Sequence, residues 1–335
     1  MDNLVKELRN IVARKDVGDD YLLMNSKYVP LKISQENFHE IRSITSNSDS
    51  KIMFVDGGNS VLFESAEFCI GIIRVGSIIY TNNKRLSRNK EEFYIFIRED
   101  NGKFIVKTYP DKSFNNTIFN PDDELLKNGI EKCGVSKIVS IIRRFAELEY
   151  AYTHSKNVDF ILLDGTMEAR YPLEDKYLDK LLLTKKVCAL SKTCTLVTKN
   201  GLSITKKLLD LGKTSSLNSW TYHPIVINNN PKHLAELYFV KLNNKSAYVF
   251  RFEIQKEFKG EIQEIFSTLY QNSNDPIFLG YPYGLIDIDQ YARVSDEETK
   301  MLQTKFSTKL GKEWNEFSKH LNSTNAHSIL DHIRF

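Results

Sequence analysis

Residues 158–165, VDFILLDG, constrain the fold more than any other stretch of the chain. The apolar run is nearly continuous, without the polar alternation of a half-solvated strand. Such a strand needs cover on both faces, so it belongs in the middle of a sheet walled by other elements. The run ends at Asp164-Gly165. An earlier apolar run, KIMFVD (51–56), ends the same way, at Asp56-Gly57-Gly58-Asn59-Ser60. Asp followed by Gly after an apolar run predicts a turn, and a turn alone would explain either aspartate taken singly.

The apolar period elsewhere predicts an order of elements. Residues 1–45 read as a helical lead-in and SNSDS (46–50) as a turn. FCIGIIRVGSIIY (68–80) predicts one bent strand or two. FYIFIRE (93–99) and KFIVKTY (103–109) flank Asp100-Asn101-Gly102, a hairpin signal. After Pro121 the period changes: Ile138, Ile142, Phe145, Glu149 and Tyr152 share one helical face. The strand at 158–165 is followed by a helix over 174–190, a strand at CTLVT (194–198), a turn at Asn200-Gly201 and a helix over 202–211. Three antiparallel strands followed by alternating helix and strand is an RNase H-like order. WTYHPIVI, ELYFVKL and SAYVFRFEI within 220–254 predict further strands, residues 258–270 an amphipathic helix and residues 296–321 polar helix. The expectation is an α/β fold: an RNase H-like mixed sheet core over 51–200, with additional strands and C-terminal helices over 201–335 completing the site. With no internal repeat, low-complexity tract or Gly/Ser linker, residues 1–335 read as a single domain.

Composition narrows the class. Of 335 residues, 41% are hydrophobic and 27% charged, the profile of a soluble globular protein. No apolar run reaches the length of a membrane span. The first fifteen residues form a charged amphipathic pattern without the apolar centre of a signal peptide, which predicts a cytoplasmic location. Cys69, Cys133, Cys188 and Cys194 contain no C-x-x-C pair, so buried reduced thiols are expected. The net charge of +3 is compatible with a polyanionic partner. Basic clusters at Lys84, Arg85, Arg88 and Lys90, at Arg143-Arg144, at Lys185-Lys186 and at Lys206-Lys207 would make a phosphate-binding track if they shared a surface.

The acidic residues point to chemistry. In an RNase H-like sheet the first and fourth strands are neighbours, so Asp56 and Asp164 are expected close together. Two carboxylates so placed repel each other, and a divalent cation relieves the repulsion. Oxygen ligands suit magnesium or manganese. Two such ions activate water and stabilise the leaving oxygen of a phosphodiester. Glu149, on the apolar face of the helix before the central strand, is the expected third ligand; Glu147 is the alternative, read as nearer solvent. Asp289, in GLIDIDQ ahead of an expected helix, is a candidate fourth carboxylate or a helix N-terminal residue. His327 and Asp331 of HSILDH share a helical face and are candidates for proton transfer.

FVDGGNS (54–60), LLDGTM (162–167), ALSKTC (189–194), GYPYGLIDIDQYARVS (280–295) and AHSILDHIRF (326–335) together resemble, in this order, the NurA nucleases. The resemblance spans residues 51–335. It implies an RNase H-like core, a toroidal homodimer, and Mn2+- or Mg2+-dependent cutting of DNA as a 5′-to-3′ exonuclease and single-strand endonuclease. It also implies a partner, the hexameric DNA-translocating ATPase HerA, in processing DNA ends for recombinational repair. Asp56 and Asp164 match the family's metal-binding aspartates, Asp289 a position that is often Asp or His, and Lys192 a lysine placed to hold the scissile phosphate as a point charge. The strand-rich stretch 83–120 departs from shorter members and is a candidate for widening a DNA channel or for dimerisation. Two other classes remain. The Asp-Gly motifs also resemble the phosphate loops of actin-like ATPases and sugar kinases, although the last third of the chain lacks their Gly-rich adenosine-binding turn. A catalytically inactive DNA-binding subunit is the other.

Overall fold

The computed structural model describes residues 1–12, 22–23, 28–30, 33–42, 49–127, 129–198, 201–228 and 234–324. The chain packs as two compact units. The larger takes residues 47–187, 258–260 and 283–335; the smaller takes residues 1–46, 188–257 and 261–282.

The larger unit opens with an antiparallel meander: β1 (Lys51–Glu64), β2 (Phe68–Thr81), β3 (Lys84–Asp100) and β4 (Lys103–Tyr109), edged by the short β5 (Ile118–Phe119). Helix α1 (Lys137–Thr153) then leads into β6 (Phe160–Asp164), which pairs with β1 in parallel. The expected neighbourhood of the two apolar runs is therefore present. Ile52 is opposite Phe160 and Val55 opposite Leu163. Asp56 and Asp164 stand one step beyond the last matched pair, on strands that in parallel sheets lie about 4.8 Å apart.

Helix α2 (Glu174–Leu182) follows β6, and the chain returns to this unit with α3 (Tyr283–Ala292), α4 (Asp296–Leu310) and α5 (Trp314–Thr324). Helices α1 and α3 cover opposite faces of β1. A side chain at Gly57 would meet Glu147 and Arg143 of α1, whereas one at the next residue, Gly58, would meet the backbone of Ala292 in α3. Neighbouring strand residues point to opposite faces, so the two glycines mark the two helices. Both-sided cover explains why Ile52, Met53, Phe54, Ile161 and Leu162 are fully buried. Helices α4 and α5 lay Leu302, Phe306, Trp314 and Phe317 against Leu62, Phe63 and Ile72.

In the smaller unit, Phe38–Glu40, Trp220–Tyr222, Ala235–Lys241, Phe250–Gln255 and Val187–Ser191 pair antiparallel in that order, the last strand entering from the larger unit at its first residue. Phe38, Trp220, Tyr222 and Phe239 form its core together with Ile204 and Leu208 of the helix Ile204–Gly212. No helix among the described residues is long and apolar enough to cross a membrane. All four cysteines are free; Cys69, Cys133 and Cys188 are buried and Cys194 half-buried.

Several local expectations are corrected. The motif at 56–60 is not a turn, because β1 runs straight through it to Glu64. Its glycines serve close approach: a Cβ on Gly58 would lie 2.2 Å from the Ala292 carbonyl oxygen. Among the described residues of the lead-in, α-helix covers Asp2–Val12, and short strands and a 3-10 turn at Gln35–Asn37 follow. Residues 68–80, read as one bent strand or two, form a single strand. The stretch 83–120 is largely the third and fourth meander strands, and β3 extends back to Lys84 through a polar half that carries no apolar alternation. The helix expected over 174–190 ends at Leu182, where Lys185 takes a left-handed φ of 58°. The buried strand after it is Val187–Ser191; only Val197–Thr198 of CTLVT is extended. WTYHPIVI breaks at Pro224 into two short strands. The hairpin at 100–102 is as expected, with Asn101 and Gly102 both at positive φ, as a type I′ turn requires. Residues 46–48, His327, Asp331 and the whole 326–335 motif lie outside the described residues.

The docking of α3 on β1 gives a stability test. A Cβ on Gly284 would fall 2.2–2.5 Å from the Phe54 ring, whereas one on Gly134 meets nothing within 4 Å. Gly284→Ala should lower unfolding stability by about 1–3 kcal/mol through overpacking, and Gly134→Ala should leave it nearly unchanged. Chemical denaturation of both variants measures the difference.

Candidate active site

Past Asp56 the two central strands part company, because β6 stops at Asp164 while β1 continues. At that point lies a cleft of about 370 Å³. Its walls come from β1 (Asp56, Gly57), α1 (Ser140, Arg143, Arg144, Glu147), the end of β6 (Asp164), the segment after it (Gly165, Thr166, Glu168, Arg170, Tyr171), the start of α2 (Glu174) and α3 (Asp289). Strand ends in α/β sheets are where such sites form.

Asp56 is 9% exposed and accepts a hydrogen bond from the Gly57 amide at 2.8 Å. Burial, with Glu147 and Asp164 beside it, pushes its carboxyl up to about 8; the Gly57 amide and Arg143 offset this only in part. Glu147 is more deeply buried, at 4% exposure, and burial pushes its carboxyl upward against the pull of Arg143 and Arg144. Arg143 forms an ion pair with Glu147 and donates to the Gly57 carbonyl at 3.1 Å. Arg144 lies 3.6 Å from Glu147 and is anchored elsewhere, to Glu174 at 3.0 Å and to the Thr166 carbonyl at 2.8 Å. Glu174, only 1% exposed, also accepts from the backbone amides of Arg170 (2.8 Å) and Tyr171 (3.1 Å), which shapes the loop after β6. Arg170 in turn donates to the Thr166 hydroxyl at 2.8 Å. The wall is thus a connected ion-pair network around an acidic floor.

The expected residues divide. Asp56, Asp164 and Asp289 line this cleft, but Glu149 lies on the far side of α1. There it accepts from Ser113, sits 3.8 Å from Lys180 and lines a separate groove with Glu91 and Lys112. Of the two glutamates weighed on α1, Glu147, read as nearer solvent, is the one that reaches the cleft. Residues on α1 from Ile138 to Ala151 are buried around most of the helix, so the apolar stripe does not single out one inward direction. The available signal was the i,i+4 spacing of Arg143 and Glu147, which puts an acid and a base on one face. Asp289 is not ahead of a helix but near the end of α3, 2.6 Å from Arg293. Lys192 belongs to the smaller unit, its ammonium 5.9 Å from the centre of the Tyr281 ring. Of the basic clusters, Arg143-Arg144 turns into the cleft, Lys206 pairs with Asp210 at 2.6 Å, and Lys207 is buried. The exposed half of β3 keeps its charge outward, with Arg88 and Lys90 about 5 Å from the Tyr291 ring centre on α3.

The donor set is all oxygen and anionic, the chemistry of a hard divalent cation. The carboxyl of Asp56, displaced upward by burial and then by the neighbouring acids Glu147 and Asp164, suits a site completed by a positive counter-charge. Among the described residues no three acidic, His or Cys side chains already stand as a complete metal cage. Glu147, held by Arg143 and Arg144, would have to turn to join one.

The charge state of Asp56 predicts a pH effect on the protein in EDTA. Its folded pKa lies above the ordinary 3.8, so the penalty for folding with this group grows as pH rises from 3.8 and is complete above about 8. Asp56→Asn removes that penalty. The variant should melt several degrees above the unsubstituted protein at pH 8, with the gap closing as pH falls toward 4. Thermal unfolding across that range measures it; a gap independent of pH would contradict the charge assignment.

Comparison with known proteins bears on this site. The family model of the NurA domain matches residues 50–294. No curated protein matches the chain. The NurA nuclease from Sulfolobus solfataricus aligns over 93% of this chain and 95% of its own, at 16% identity and a TM-score of 0.55, so the two share a fold. Ciona intestinalis endonuclease V, solved in complex with DNA, aligns over 78% of this chain and 92% of its own, at 13% identity and a TM-score of 0.40. Human endonuclease V covers 75% and 85% at 8% identity and a TM-score of 0.39. The mixed α/β fold, with a meander and a parallel fourth core strand, is RNase H-like. With the model matched over most of its length, the chain belongs to the NurA family.

Proposed function

We propose that this protein is a divalent-metal-dependent DNA nuclease whose active site is the cleft around Asp56 and Asp164. Membership of the NurA family and the fold shared with a NurA nuclease support a nuclease. The observation that carries the reading is the convergence of Asp56, Glu147, Asp164 and Asp289 on one cleft that also contains three arginines. The phosphate-loop alternative loses its basis, because β1 passes through Gly57-Gly58 as a strand and forms no loop there.

Each group has a role in this reading. Asp56 and Asp164, fixed by the register of β1 and β6, would hold Mn2+ or Mg2+, with Glu147 and Asp289 within the same cleft to complete the donor set. The cation, when bound, supplies charge neutralisation at a phosphodiester and a lowered pKa for water. Arg170 is exposed at the rim, placed to meet a phosphate oxygen. Glu174 acts through Arg144 and the 170–171 amides, setting the shape of the loop, and is a positioning residue. Exposed Arg88 and Lys90, flanking Tyr291 two residues beyond Asp289, would bind the sugar–phosphate chain as it approaches.

The finer reading rests on the family resemblance: 5′-to-3′ exonuclease and single-strand endonuclease action in DNA-end resection, a homodimer, a HerA-type ATPase partner and a cytoplasmic location. The family match includes residues of both compact units, which supports treating them as one functional domain.

Digestion of labelled DNA with Mn2+, Mg2+ or EDTA tests the proposal. Asp56→Ala and Asp164→Ala should each cut at least about a hundredfold more slowly while remaining folded, since each removes a direct ligand. Glu147→Gln should impair cutting strongly and Glu149→Gln only mildly. The reverse order for the two glutamates would return the third ligand to the other side of α1, and wild-type cutting by folded Asp56→Ala would refute the site. Light scattering reports the oligomer: a single species at the 38.8 kDa chain mass rejects the dimer.

A further inference from the structure

Arg143 is a half-buried cation set among acids. Its guanidinium pairs with Glu147 and donates to the Gly57 carbonyl at 3.1 Å, and it attracts Asp56 and Asp164 as well. Arg144 also touches Glu147, but its other bonds fix it: Glu174 at 3.0 Å, Thr166 at 2.8 Å. Among the described residues, the hydrogen bonds of Arg143 go to Glu147 and to one carbonyl. The packing is built around this pair. A Cβ at position 57 would lie 2.8 Å from Oε1 of Glu147 and 3.1 Å from Cγ of Arg143, so only glycine leaves room for both.

We infer that Arg143 is the internal counter-cation of the acidic cleft: it holds Glu147 while no metal is bound and gives that carboxylate up when a divalent cation enters. This rests on the proposed metal site and adds a positioning residue to it. Arg143 lets the protein fold with its carboxylates gathered and competes with the metal for one of them. Because both cations act on the same anions, their effects are reciprocal: what stabilises the metal-free cleft weakens metal binding by the same factor. Arg144, tied to the loop after β6, keeps that wall in place in either state.

The test uses the full chain and MnCl2 alone, without DNA, at pH 8. Titration calorimetry should show Arg143→Gln binding Mn2+ about tenfold or more tightly than the unsubstituted protein, since a unit charge close to a divalent ion is removed. Arg143→Lys, which keeps the charge, should stay within about threefold. In EDTA, Arg143→Gln should melt at lower temperature, and saturating Mn2+ should erase the deficit. A residue that merely braces the helix would lower both melting points alike and leave the affinity unchanged. Gly57→Ala, which keeps every charge but crowds the pair, should shift affinity the same way by a smaller factor, and it serves if Arg143→Gln does not fold. Mn2+ binding no tighter in folded Arg143→Gln, or in Gly57→Ala where the first variant fails to fold, overturns the inference alone. No Mn2+ binding by the unsubstituted protein overturns the metal site itself, and this inference with it.

Discussion

The repulsion among Asp56, Glu147 and Asp164 is the constraint that the larger unit is arranged to withstand. Burial of Asp56, with the Glu147 and Asp164 carboxylates beside it, makes its ionisation costly, and its raised pKa expresses that. Help comes from α1, whose Arg143 and Arg144 meet Glu147 from successive positions. Arg144 passes the constraint outward to Glu174, and Glu174 fixes the loop after β6 through two backbone amides. Removing one partner of a buried ion pair costs about 3–5 kcal/mol, yet such pairs give little net stability over an apolar core. A network this polar is therefore poorly explained as a stabilising device, and well explained as the scaffold of a site.

Topology supplies the other half. Parallel pairing of β1 with β6 places the two aspartates side by side because both apolar runs end at the same register. The unequal strand lengths then matter: β6 stops, β1 goes on, and helices from both faces of the sheet converge where the pairing ends. Glycines 57, 58 and 284 let the helices come close, and α1 and α3 bring Glu147 and Asp289 into one space.

Much of this was legible in the sequence. A short uninterrupted apolar run bounded by turn residues fits a strand covered on both sides, and its repetition with a following Asp pointed to the pair of aspartates and their strand neighbourhood. The Asn-Gly hairpin was readable because positive φ at two successive residues is so restrictive. What misled was local chemistry with two uses. Gly57-Gly58 reads as a turn, but here the glycines remove side chains from beneath two helices. Glu147 and Glu149 lie about 200° apart around α1, and with nearly the whole helix buried the apolar stripe carries no information about which points to the cleft. The polar first half of β3 was invisible because exposed strand residues facing outward need no alternation. Glu174 escaped notice because its meaning lies in a contact with Arg144, 30 residues away, and Arg170 because its place is set by the loop after β6, which shows no period in the sequence.

The charge balance of the cleft bears on the order of events. Six acidic and three basic side chains line it, and two of the arginines are already committed to Glu147. A phosphodiester approaching such a cavity meets net negative charge, and in a low-dielectric cleft that repulsion is much less screened than at an open surface. The exposed cations of β3 lie beside Tyr291, one of the last residues of α3, so they draw a polyanion toward the neighbourhood without neutralising the floor. Attraction at the rim and repulsion at the floor cannot both favour a bound phosphate until positive charge is added inside. On the proposed reading of this cleft as a metal and phosphodiester site, such a charge balance favours cation entry before phosphate entry.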